Sequence, residues 1–149
     1  MKKIIHVMLF LFLFILYGCT YPTLSTTDFS LSLELLTNDG SSVTYQATLK
    51  NLTDNRYIVT YSGSSDIDSI INIYCYTGDT EPDFIGVSNG ITGVFPQHMI
   101  ISKMQEFTNL TQADYHVVAL VSFIYRDETM TIRSEILELT ILIKNGGVL

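Results

Sequence analysis

Gly86-Val87-Ser88-Asn89-Gly90 has the G-x-S-x-G spacing that lifts a nucleophilic serine clear of its own backbone, and Asp114 and His116 follow in the order Ser, Asp, His. A serine hydroxyl attacks only when an imidazole takes its proton and a carboxylate orients that imidazole. The motif works at a sharp turn from a strand into a helix, and the Asn89-Gly90-Ile91-Thr92-Gly93 that follows cannot begin one. Asp114 and His116 stand two apart in an alternating run, side by side on one strand face rather than in line behind a serine. These residues read as a loop and a strand face. No catalytic residue is assigned, and the chain is not expected to be an enzyme.

Metal chemistry has two candidate sets. Asp66 and Asp68 in one loop, with Asp79, Glu81 and Asp83 in another, supply hard oxygen ligands that could meet around Ca²⁺, which takes about 6–8 of them. The spacing is not that of an EF-hand, because the sixth position counted from Asp79 is Phe84, where glycine is required. Solvated acidic loops account for the same residues. His98 and His116 could share a metal, yet neither has a second ligand at metal spacing. No metal or cofactor is therefore expected. Cys75, between Tyr74 and Tyr76 in an apolar run, reads as a core thiol. Asn51-Leu52-Thr53 and Asn109-Leu110-Thr111 match the N-glycosylation pattern and read as turn caps.

The N-terminus has a different character. Lys2 and Lys3 precede a run from Ile4 to Tyr17 that is apolar except for His6. A basic start followed by an apolar stretch shorter than the roughly 20 residues of a spanning helix is the pattern of an export signal. It ends in Leu16-Tyr17-Gly18-Cys19, which resembles the lipobox of bacterial lipoproteins. The resemblance implies lipid on the Cys19 sulfur, cleavage after Gly18, and a mature chain held on the outer face of a cytoplasmic membrane or on an outer membrane. Tyr17 is bulkier than the residue that position usually carries. Residues 1–18 are then the signal, 19–27 the lipidated cysteine and tether, and 28–149 the domain. Stretched out, such a tether holds the domain within roughly 30 Å of the lipid. Removing residues 1–18 leaves six basic against fifteen acidic residues, a charge of −9, and an acidic surface repels both nucleic acid and anionic lipid headgroups, so neither is expected as a partner. With Cys19 acylated, Cys75 has no partner for a disulfide.

From Asp28 onward the pattern has period two. Phe29, Leu31, Leu33 and Leu35 alternate with polar residues, Asn38-Asp39-Gly40 turns the chain, and Val43, Tyr45, Ala47 and Leu49 return as the other half of a hairpin. Further strands are expected at Tyr57 to Ser62, at Ile70 to Tyr76 (central, being apolar on both faces), at Met99 to Met104 and at Tyr115 to Tyr125. Thr77 to Pro96 reads as loop with a short edge strand near Phe84. Met130 to Ile143 changes phase near Ser134-Glu135, where a bulge or a switch of sheet is expected. About seven strands without a helical period predict an all-β chain, an immunoglobulin-like antiparallel β-sandwich. Leu110 to Val117 fits a tyrosine corner in which the Tyr115 hydroxyl bonds backbone a few residues upstream, whereas Tyr125 is expected to tolerate Phe.

Within that pattern Val43 to Asp79 resembles part of the BsuPI-type proteinase-inhibitor domain, through Lys50-Asn51-Leu52-Thr53-Asp54, Thr60-Tyr61-Ser62-Gly63-Ser64 and Ile71 to Tyr76. The resemblance covers about a quarter of the chain and supports the sandwich more than the inhibition. The expected function is a membrane-anchored, non-enzymatic module that binds a protein or cell-envelope partner through end loops, a sheet edge, or a face bearing Tyr74 and Tyr76. A proteinase inhibitor using the loop from Gly78 to Gly93, and a metal-binding or structural envelope protein, are the alternatives.

Overall fold

The computed structural model describes residues 22–64, 66–81, 87 and 90–142. The run read as an export signal, Cys19, Asp83, Phe84 and Ser88 lie outside the described residues.

The chain is an immunoglobulin-like antiparallel β-sandwich with nine strands among the described residues: β1 (Phe29–Asn38), β2 (Val43–Asn51), β3 (Tyr57–Tyr61), β4 (Ile71–Thr77), β5 (Ile91–Phe95), β6 (Ile100–Phe107), β7 (Ala113–Tyr125), β8 (Glu128–Arg133) and β9 (Leu137–Ile141). One sheet has the order β1-β2-β6; the other is built around β7. Among the described residues the only helical pieces are the 3₁₀ turns Thr26–Asp28 and Ile67–Ile70.

β7 spans thirteen residues, and no partner matches its length. Along one edge β4 pairs with Tyr115 to Val121 and β3 with Phe123 and Ile124. Along the other, β9 pairs with Ala113 to Val117 and β8 with Leu120 to Tyr125. Between β8 and β9 the register slips by one residue: Leu120 faces Arg133, whereas Val117 faces Leu137. This is the bulge expected near Ser134-Glu135, and the chain stays on the same sheet. Ser134 fills the gap, its N–H donating to the Ala119 carbonyl at 3.0 Å and its Oγ accepting the Ala119 N–H at 3.0 Å. Ile132 and Leu139 can then both face inward although they differ in parity.

Two expectations need correction. β4 is an edge strand of its sheet, not a central one. Its free side is covered by the other sheet, where Lys103 on β6 donates from Nζ to the Ile71 carbonyl at 2.7 Å. Ile71, Ile73 and Cys75 face the core, while on the outer face Tyr74 stands opposite Val118 and Tyr76 opposite His116, so both faces are apolar for separate reasons. The second correction is β5, which falls where loop was expected. Of its inward positions Ile91, Gly93 and Phe95, the middle one is a glycine because the ring of Tyr61 on β3 occupies that space: a Cβ on Gly93 would sit 2.7 Å from Tyr61 Cε1. β5 and the splitting of the last run raise the strand count from about seven to nine.

The core has two parts. At one end Phe29, Tyr57, Phe95 and Phe123 pack ring against ring, with centroids from 5.0 Å for Phe95 and Phe123 to 5.9 Å for Phe29 and Phe95. At the other, Val43, Tyr45, Tyr115, Val117, Leu139 and Ile141 close the space between the sheets. Tyr115 makes the expected corner. Its hydroxyl donates to the Thr111 carbonyl at 3.2 Å and accepts the Thr111 N–H at 3.1 Å, tying the β6–β7 turn to the strand it feeds.

Tyr115→Phe keeps the ring and loses the hydroxyl's bonds, and is expected to lower stability by about 0.5–1.5 kcal/mol in urea unfolding. Tyr115→Ala also empties the ring's place and is expected to cost about 3–5 kcal/mol. Two neutral results would mean that the corner holds nothing together.

Candidate functional site

The strand directions give the sandwich two unlike ends. β1 starts opposite the last residue of β2, β3 starts opposite the last residue of β5, and β7 ends opposite the first residue of β8. The described chain therefore begins at an end bounded by the loops 52–56, 96–99 and 126–127. The opposite end carries the turns 39–42 and 108–112, the stretch after β4, and Leu142.

At the N-terminal end residues 22–27, the described part of the segment read as tether, pack onto the domain. Leu24 packs against the aromatic cluster. Ser25 caps the turn Thr26–Asp28: its side chain accepts the Thr27 N–H at 3.3 Å, and the Asp28 carboxylate accepts the Ser25 N–H at 2.9 Å. The Tyr57 hydroxyl donates to that same carboxylate oxygen at 3.1 Å. Pro22, with no N–H of its own, offers its carbonyl to the Tyr125 hydroxyl at 2.7 Å. The expectation that Tyr125 tolerates Phe is thus corrected, since its hydroxyl donates to the Pro22 carbonyl and a phenylalanine could not.

Next to Pro22 lies a cavity of about 490 Å³ lined by Pro22, Arg56, Ile58, Tyr125 and Arg126. Tyr125 and Arg126 also border a second hollow with Thr23, Leu24, Glu128 and Met130. The β7–β8 turn places Arg126 (φ 50°) and Asp127 (φ 66°) in the left-handed region, the geometry of a tight hairpin turn usually held by Asn-Gly. It folds the Arg126 guanidinium over the Tyr125 ring, 5.4 Å from the centroid. Beneath the end loops, buried Asn51 serves as the knot. Its amide donates to the Asn55 carbonyl at 2.9 Å and the Pro96 carbonyl at 2.8 Å, while its Oδ1 accepts the Thr53 N–H at 3.0 Å. The turn-cap reading of Asn51 holds. Asn109 is likewise a turn residue, with φ 59°.

The residues singled out for chemistry are not brought together. Asp114 accepts the Thr140 hydroxyl at 2.7 Å and His116 packs on the Tyr76 ring at 5.6 Å, both on the outer face of β7. His98 pairs with Asp54 at 2.8 Å at the N-terminal end, far along the sandwich from His116. Asp66 and Asp68 flank the middle of an edge, between β3 and β4, whereas Asp79 follows β4 at the opposite end. Glu81 crosses the outer face to Arg133 on β8 at 3.0 Å. Among the described residues no three metal-ligating side chains converge. Cys75 faces the second core cluster, and burial pushes its thiol pKa up. Tyr74 and Tyr76 do share the outer face of β4, each half-buried.

The cavity was not legible in the sequence. Its lining joins positions from three separate stretches, and the deciding contact links residues 103 apart in the chain. Compared with known family models, curated proteins and solved structures, the chain gives no match. The inhibitor-like resemblance of Val43 to Asp79 thus stands on those residues alone.

Tyr125→Phe is expected to lower stability by about 0.5–1.5 kcal/mol. It should also speed hydrogen exchange at the Thr23 and Leu24 amides; unchanged exchange there would mean that the phenol does not hold the segment. Cys75 is expected to react slowly with a thiol reagent in the native protein and fast in denaturant. Fast native labelling would show the thiol to be reachable from outside the sheet.

Proposed function

We propose that this chain is an extracytoplasmic lipoprotein, anchored through Cys19, whose sandwich is a non-enzymatic module that binds a protein or cell-envelope partner. The observation that supports it best is how the chain is held near Cys19: the Pro22 carbonyl accepts the Tyr125 hydroxyl at one end of the sandwich. Cys19 stands three residues earlier. Three extended residues span about 10 Å, so the anchored end lies close to the membrane, nearer than a free tether from Cys19 to Thr27 would leave it.

The polarity of the strands does the rest. The turns 39–42 and 108–112 lie at the end away from Pro22 and point outward, and they are the loops offered to a partner. The turn at 39–42 is well suited to that exposure. Asp39 Oδ1 accepts the N–H groups of Ser41 at 3.0 Å and Ser42 at 2.7 Å, which holds its pKa down at about 2. Recognition by loops on a rigid sandwich asks only for such fixed turns, and no catalytic grouping. The acidic excess of the mature chain keeps nucleic acid away.

In a bacterial host Cys19→Ser is expected to abolish incorporation of labelled palmitate, and to leave the precursor unprocessed or the domain released from membranes. Label retained by the variant would remove the anchor, and with it the outward orientation of the far loops.

A further inference from the structure

We infer that the side of the sandwich between β1 and the β8–β9 edge is a groove for one extended, basic segment of a protein partner, taken up as an added strand on β1. The inference rests on the binding-module reading above and names the kind of partner. It does not depend on the anchor at Cys19.

The two lateral sides of the sandwich differ. On one, β6 closes against β4, and Lys103 reaches the Ile71 carbonyl across the gap. On the other, two hollows meet at Leu31. One, of about 470 Å³, lies between the stretch from Thr26 to Leu31 and Thr131, Ile132 and Arg133 of β8. The second, of about 300 Å³, is lined by Leu31, Ser32, Leu33, Glu135 and Leu137. It opens where β8 leaves β7 at Arg133 and β9 joins only at Leu137. The inward row of β1 is apolar throughout, and its cover fails along the strand. Phe29 is 5% exposed, Leu31 9%, Leu33 half-buried and Leu35 41%. Tyr45, opposite Leu35 on β2, is fully buried, so the exposure reflects a missing neighbour of β1 and not a frayed sheet.

Among the described residues β1 pairs with β2 alone, which leaves its outer edge open to another chain. That edge is regular from Phe29 to Leu35, and the register shift between Leu35 and Thr37 ends it. It therefore accepts a short segment in few registers and not any passing strand. An added strand turns alternate side chains inward, over Leu31 and Leu33 and toward Leu137, and these have to be aliphatic. Charge selects the residues between them. The far half of this side carries Glu34 on β1, Glu135 in the bulge and Glu138 on β9. The nearest bases along these strands are Arg133, already paired with Glu81 at 3.0 Å, and Lys50, opposite Ser30 at the near end. Lysine or arginine between the aliphatic residues of the segment complements that half. The whole chain, with fifteen acids to eight bases, draws such a segment in.

The test is amide NMR of the full chain in phosphatidylcholine nanodiscs, with the acetylated and amidated peptide Lys-Leu-Lys-Val-Lys-Leu-Lys as probe. Shifts are expected at Leu31, Leu33, Leu35 and Leu137, and not at Ile101 or Gln105 on the β6 side. Methylating one alternate set of the peptide's backbone nitrogens is expected to abolish binding and methylating the other to preserve it, because one edge of an added strand meets β1. Glu34→Lys with Glu135→Lys is expected to weaken binding roughly tenfold and to favour the peptide with Glu in place of Lys, which also shows that the variant is folded. Shifts on both sides, equal loss from both methylated sets, or an affinity unaltered by the double change would overturn the groove. Shifts confined to the turns 39–42 and 108–112 would overturn it and leave the binding module, with its far loops, in place. Without peptide, Val148→Asp with Leu149→Asp is expected to leave Leu33 and Leu35 unmoved, as is a tenfold rise in the number of chains per disc. Movement in the first case would give the groove to the chain's own residues 143–149, and in the second to another copy, and either would remove the partner.

Discussion

β7 needs hydrogen-bond partners along both edges, and its thirteen residues are longer than any strand available to supply them. A buried N–H or C=O without a partner costs about 1–3 kcal/mol, so the gap has to be filled by two shorter strands on each side. On one edge the chain leaves after β3, makes the excursion 62–70, and returns as β4. On the other it continues from β8 to β9 through a single extra residue, with Ser134 supplying backbone and hydroxyl contacts to Ala119. Both interruptions follow from one long strand, and the two-part core follows from the interruptions.

The ends of the sandwich are closed by polar side chains that act as backbone. Asn51 gathers three loop groups at the N-terminal end, and Tyr115 fastens the β6–β7 turn at the other. Each is buried, and each satisfies groups that would otherwise be left dry. The sheet edges are handled by a similar economy. Lys103 points inward from edge strand β6 and spends its charge on a carbonyl of the facing sheet, while β1 carries a register shift between Leu35 and Thr37 that breaks its regular edge. Edges blunted in this way favour recognition by fixed loops over indiscriminate strand addition.

Geometry gives the sandwich two unlike ends. The described chain begins at one end, where Pro22 meets Tyr125, and the fixed turn at Asp39 lies at the other. A covalent anchor before Pro22 would act on the near face and set the distance of that end from a membrane. Loops held at a set height and orientation lose less freedom on meeting a partner than loops on a domain that swings.

The sequence by itself determined the local geometry. Alternation placed β1, β2, β4, β6 and β7, and the phase change at Ser134-Glu135 marked the bulge, because period two is written in side chains and a one-residue slip inverts it. Tyr115 was legible because its partner, Thr111, is four residues away. Tertiary structure alone decided the rest. β5 was hidden because its middle inward position is a glycine making room for the Tyr61 ring, which interrupts the apolar alternation between Ile91 and Phe95. β4 read as central because burial on two faces looks alike whether a sheet neighbour or the opposite sheet provides the cover. The cavity beside Pro22 was invisible for a related reason: Tyr125 reaches a carbonyl 103 residues back, and no periodicity records a contact between residues so far apart.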